Sequence, residues 1–429
     1  MGAGINQVKI MKFINQTQFP AFAFSGVKPE GTEFHVVALR QTLTWDKAGQ
    51  LFFANNQNPL CETDEPFDSE QSDEIRQEFD LCPYKPRCDV IVNASAYPPA
   101  GKALQSFEVR LRIQRPGVPA PLPPKPHGLN PFMPPSPEQM AAWRAAVEQA
   151  KCPLPGEQLL EKTLNVTGER YFVRRLAKWE LSEAQPVSGP VPLRLTQAFG
   201  GQCEVEGGTD AAEEIARQHH LSSDDPDAPA PTILDALAAN PIGCGFARQW
   251  FLDAMRIEKL PAPRIEFPSR PLDISVFNQI SAGRFKEEDA TALVAGLGVR
   301  PRGHPDRVKL IGMVDNTPCI DFAFWNAAWP DQQVAALAGD EIIELTNLSA
   351  PSTAGLVLDG NGNSVLRLKL PGHLPSILAH FENGTIGKTE TRLDTVVIDT
   401  EVQQVSLVWR ATLDMSPEVH TLEVQMPDQ

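Results

Sequence analysis

Phe107, Val109, Leu111 and Ile113 alternate with Glu108, Arg110, Arg112 and Gln114, the most regular pattern in the chain. Strand side chains point to opposite faces with a period of two, so this segment satisfies both residue sets only as a strand with one face in a core and one toward water. A sheet must exist to receive it. Composition agrees, because 40 prolines and 29 glycines punctuate the 429 residues and aromatic residues make up only 7%. That favours many short strands and turns over long helices. At this length two or three domains are expected, with ample material for a core.

Read in order, residues 34–45 form a strand that turns at Asp46-Lys47-Ala48-Gly49 into Leu51-Phe52-Phe53, a hairpin. Asp89 to Val92 reads as a strand. Residues 115–137 are proline-rich and suit an exposed, semi-rigid polyproline insertion. Ser136 then caps a helix with Pro137 at its first position, and Met140, Trp143 and Val147 share one face. Those three either pack on the β-domain or offer an apolar face to a partner. Strands return over 162–166, 170–175 and 191–196. A helix is expected over 209–220, and two short helices over 233–239 and 248–255, either side of the turn-forming Asn240-Pro241-Ile242-Gly243 loop. Val308, Leu310 and Val314 suit a buried strand. Gly360-Asn361-Gly362-Asn363 joins two further strands as a hairpin, and residues 395–398 and 405–409 complete a sheet. The expected fold is mainly β (α+β): two β-sandwich-like domains over 11–205 and 261–429, a proline-rich and helical insertion at 115–157, and a helical linker at 206–260.

With 38 basic and 54 acidic residues the formal charge is −16, which argues against a generic nucleic-acid or anionic-membrane surface. No segment approaches the ~18 apolar residues of a membrane span, and Met1 to Phe13 lacks a signal-peptide core. The seven cysteines are odd in number and form no CxxC pair. They read as reduced thiols of a cytoplasmic protein.

No HExxH, GxSxG, P-loop or dinucleotide-binding motif occurs. Asp359 to Asn363 begins like a calcium loop but has Ser364 where Gly is needed and Leu370 where the bidentate Glu belongs, so a plain hairpin is the better reading. His219-His220 reads as a solvated helix end rather than a metal pair. No catalytic, cofactor or metal residue is assigned. The stretch Asp80 to Gly101 concentrates charge among rigid residues: Asp80, Pro83, Lys85, Pro86 and Asp89. An acid, base and charge trio acting on a glycan-like substrate is one reading. The other is a structural corner in which Asp80 caps a turn, Lys85 bridges Asp80 and Asp89, and the prolines stiffen the loop.

The segment FDLCPYKPRCDVIVNASAYPPAG, from Phe79, resembles the signature of a bacterial family of unknown function found with type VI secretion systems. MKFINQTQFPAFAF, GERYF, VPLRLTQAFGG, LPAPRIEFP, AAWPDQQVAALAGDEIIELTNL and LDTVVIDTEVQQVSLVWR continue the likeness in order. The resemblance implies a non-catalytic adaptor or chaperone. Its partners would be a toxic effector, bound in the cytoplasm, and the trimeric spike onto which the effector is loaded. A structural component of the secreted particle is the other role this likeness leaves open.

Overall fold

The computed structural model describes the chain apart from residues 1–10, 28–31, 69–72, 101–102, 119–120, 128–133, 152–154, 177, 219–228, 308–312, 315–316, 319–325, 415–417 and 427–429. Three sheets carry the architecture. The largest runs in the order Ala21–Val27, Glu33–Trp45, Gln404–Asp414, Arg392–Asp399, Cys88–Asn93 and Gln333–Val334, with Leu51–Phe53 also paired to Glu33–Trp45. A six-stranded sheet runs Ile265–Glu266, Gln158–Thr167, Ser106–Gln114, Ile342–Thr346, Ser364–Lys369 and Leu356–Leu358. The third holds Lys12–Asn15, Val419–Gln425, Ser376–Phe381 and Ile386–Glu390.

Ser106–Gln114 keeps its expected alternation and sits between Gln158–Thr167 and Ile342–Thr346. Its Val109, Leu111 and Ile113 join Val37, Leu39, Val90, Val396, Leu407 and Trp409 of the large sheet in one hydrophobic cluster. The two sheets therefore bury a common core, each side chain contributing roughly 1.5–3 kcal/mol of transfer free energy. A second cluster stacks Phe172 at 4.0 Å on Phe277 of helix Ile274–Ser281, with Trp179 against the ring edge, and takes in Leu252 of helix Gln249–Ala254.

The mainly β, α+β class holds, but sheet and core membership cross the expected boundaries at 205 and 261. Residues 88–93 pair with 392–399, and 106–114 with 342–346, so neither large sheet belongs to one half of the chain. Two local expectations also change. Residues 233–236 form a strand on Gln202–Val205, not a helix: Pro231 and Asn240-Pro241 leave too little chain for a stable helix, and β-branched Ile233 suits the strand. Residues 191–196 give only a two-residue strand before the 3-10 turn Leu195–Gln197, because Pro190 and Pro192 lack the donors a ladder needs. The helix expected over 209–220 is described as Asp210–Gln218; His219-His220, Val308 and Leu310 lie outside the described residues.

The two hairpins appear where expected. Asp46 Oδ1 accepts from the amides of Ala48 and Gln50, with Gly49 at φ +75°. Asp359 Oδ1 accepts from the amides of Asn361 and Asn363 and its Oδ2 from the Asn363 side chain, so this carboxylate closes its own turn. Ser136 caps helix Pro137–Lys151, its Oγ accepting from the Gln139 amide while Gln139 Oε1 accepts from the Ser136 amide.

Candidate functional site

The large sheet has two unlike faces, and period-two geometry explains both. In Glu33–Trp45 the residues Val37, Leu39 and Leu43 enter the shared core, which sends Arg40 to the opposite side. Leu407 and Trp409 likewise send Ser406 and Arg410 outward, and Val90 and Val92 do the same for Asp89 and Asn93. A register shift between Leu393 and Thr395 leaves Asp394 buried at a bulge on the same sheet. This polar face is covered by the stretch Glu74–Arg87, so its charges are buried.

Lys85, 2% exposed, donates to Glu78 Oε2 at 2.7 Å, Asp89 Oδ2 at 2.8 Å and Thr395 Oγ1 at 3.0 Å. That uses all three ammonium hydrogens. Asp89, 0% exposed, also accepts from Asn326 Nδ2 at 3.0 Å and from the amides of Ala327 at 2.9 Å and Ala328 at 3.3 Å. Asp80 Oδ2 accepts from the Cys61 amide at 2.8 Å and Arg40 Nη1 at 3.3 Å. Arg410 pairs with Asp394 and donates to the carbonyls of Asp80 and Cys82 at 2.8 and 2.6 Å. Pro83 and Pro86 present carbonyls to Thr412 and Arg392. The five motif residues are thus brought together over the large sheet, with one correction to the expected wiring. Lys85 bridges Asp89 and Glu78, while Asp80 belongs to Arg40 and closes onto residue 61 rather than capping its own turn.

Burial alone pulls the Lys85 ammonium down, but Asp89 and Glu78 more than offset it and hold the group well above the ordinary lysine value. Burial pushes the Glu78 carboxyl up against the pull of Lys85, and the Asp80 carboxyl up against that of Arg40. Burial also pushes the Cys82 thiol up to about 12, and it and Cys88 are free and buried. The cluster therefore holds a lysine displaced upward by its carboxylate partners, two carboxyls displaced upward by burial, and buried free thiols. Beside it a cavity of about 290 Å³ lies between Arg40, Gln77, Asn93, Asp399 and Ser406. Among the described residues no group of three or more His, Cys, Asp or Glu is placed to hold a metal, and no helix is long and apolar enough to cross a membrane.

Glu78, Arg40, Asp394 and Arg410 were not singled out in the sequence. Arg40 and Arg410 carried a signal, a cation directly following an apolar run within a strand. Met140, Trp143 and Val147 are half-buried on helix Pro137–Lys151, and Trp143 Nε1 donates to the Pro123 carbonyl at 3.0 Å, so the helix braces the proline run.

The remaining sequence blocks also meet in space. Asn240 Nδ2 donates to the carbonyls of Leu195 and Phe199, and Phe199–Gly200 pairs with Cys244–Gly245. A Cβ on Gly200 would stand 2.1 Å from the Asn240 carbonyl oxygen, so only glycine allows that approach. Gln332 Nε2 donates to the carbonyls of Val90 and Leu297. A family model described as "Uncharacterized protein conserved in bacteria (DUF2169)" matches residues 30–119 and 133–410. The chain belongs to this family. The DUF2169 match takes in the whole charged corner with Arg40, Asp394, Thr395 and Arg410, and it passes over residues 120–132, inside the proline-rich run. No curated protein and no solved structure matches the chain.

Proposed function

We propose that this DUF2169 protein is a non-catalytic adaptor of a type VI secretion system, which binds a cognate toxic effector in the cytoplasm and assists its loading onto the spike. The observation that carries the non-catalytic part is the closure of the charged corner: Lys85 spends every donor on Glu78, Asp89 and Thr395 and keeps its proton. The secretion context rests on the likeness of the ordered sequence blocks. An open edge supports a binding role. Strand Ala21–Val27 pairs only with Glu33–Trp45 among the described residues, and its Phe22 and Val27 are 49% and 54% exposed. Such an edge accepts an added strand from an extended segment of a partner.

Tagged protein isolated from a secretion-competent strain should bring down a toxic effector and a spike protein, identified by mass spectrometry. Recovery of neither would overturn the adaptor reading. An enzyme using Asp80, Lys85 and Asp89 would instead lose a measurable activity in Asp89→Asn at unchanged thermal stability; the adaptor reading expects that variant to lose stability.

A further inference from the structure

Residues 121–127 read Pro-Leu-Pro-Pro-Lys-Pro-His, and their exposure repeats every third residue. Pro123 and Pro126 are half-buried, whereas Pro121, Leu122, Pro124 and Lys125 are exposed, Leu122 at 67%. Three residues per turn is the period of a polyproline helix, a shape with no internal hydrogen bonds and little freedom left to lose on binding. One edge of this prism is fixed: the Trp143 indole, on helix Pro137–Lys151, donates to the Pro123 carbonyl. The other two edges face outward and present the pairs Pro121-Leu122 and Pro124-Lys125, one turn or about 9 Å apart.

We propose that this run is a docking ridge for a partner protein domain whose groove is lined by aromatic rings and rimmed by carboxylates. Polyproline ridges are recognised in such grooves because the flat prolyl faces stack on rings and the pre-set backbone lowers the ordering cost. Pro121 and Pro124 seat between the rings, and Lys125, the run's only formal charge, meets the acidic rim. The DUF2169 match omits residues 120–132, which makes the ridge a feature of this chain rather than of the family's common frame. The proposal stands apart from the adaptor reading, since it needs neither effector nor spike.

The test titrates the full chain into a ¹⁵N-labelled SH3 domain with an acidic-rimmed groove, used as the probe, and follows its aromatic groove resonances. Those resonances should shift, and the Pro121→Ala/Pro124→Ala double variant should weaken binding by about tenfold or more. Lys125→Glu keeps every proline in place and should weaken binding more at low salt than at high salt. Pro126→Ala, on the half-buried edge, should bind more tightly than the double variant. Unshifted groove resonances would leave the run a spacer only and overturn the proposal. An equal loss in Pro126→Ala and the double variant would overturn it as well.

Discussion

Lys85 is held by two carboxylates and a hydroxyl with no water-facing side, so removing any one partner strands a buried charge. Breaking a buried pair from one side costs about 3–5 kcal/mol, far more than the pair adds over an apolar replacement. Lys85→Met should therefore lower the urea midpoint strongly by leaving Glu78 and Asp89 facing each other. Asp89→Asn should do so comparably, since Asp89 also anchors the amides of Ala327 and Ala328. Glu78 adds a pH signature. Its carboxyl is held above the ordinary glutamate value of 4.5, chiefly by burial. The folded chain then keeps a proton that the unfolded chain has lost, so this group's contribution falls as pH rises from 4.5 through the folded value. The stability of Glu78→Gln relative to the wild type should consequently rise over that interval, read from urea curves at several pH values. The motif itself was legible in the sequence as charge among prolines. Its wiring was not, because Arg40, Arg410 and Thr395 approach from strands tens to hundreds of residues away, and no local spacing encodes which carboxylate each cation takes.

Between elements, Lys162 ties strand Gln158–Thr167 to the turn Pro330–Gln332. Its ammonium donates to Asp331 at 2.7 Å and to Gln332 at 2.9 Å, while Gln332 reaches the Val90 carbonyl of the large sheet. Burial outweighs the attraction of Asp331 and lowers the Lys162 pKa to about 8. The unfolded chain holds this proton up to about 10.5, so stability should rise with pH between about 8 and 10.5. Lys162→Met should flatten that rise, as measured by urea midpoints at both ends of the window. At the edge of the fold, Ser136→Ala removes the cap of helix Pro137–Lys151 at a cost of about 1 kcal/mol. Because the helix leans on the proline run, the loss should appear as faster hydrogen exchange at residues 139–141 with little change in the global melt. Elements were legible wherever one face was apolar and the other polar, as in Ser106–Gln114, or where a turn carried its own chemistry, as at Asp46 and Asp359. Ile233–Ala236 misled because its strand state depends on a partner, Gln202–Val205, that its own residues do not announce.

For the whole molecule, both large sheets interleave strands from early and late in the chain. Fragments 11–205 and 261–429 should each lack the far-UV circular dichroism of ordered sheet and be cut rapidly by protease when expressed alone, and regain protection when combined. Either fragment folding by itself would show that the shared sheets can be divided. The pairing of Glu33–Trp45 with Gln404–Asp414 also sets a timetable. At ~5–20 residues per second a ribosome takes roughly 20–70 s to make the second strand after the first. Through that interval the first strand can close only its local pairings with Ala21–Val27 and Leu51–Phe53, and the edge that Gln404–Asp414 later takes stays open. Non-local pairing of this kind also slows folding itself. The nascent chain thus carries an adhesive strand for most of its synthesis, and its yield should respond to growth temperature and to holding chaperones more than to anything in the finished core.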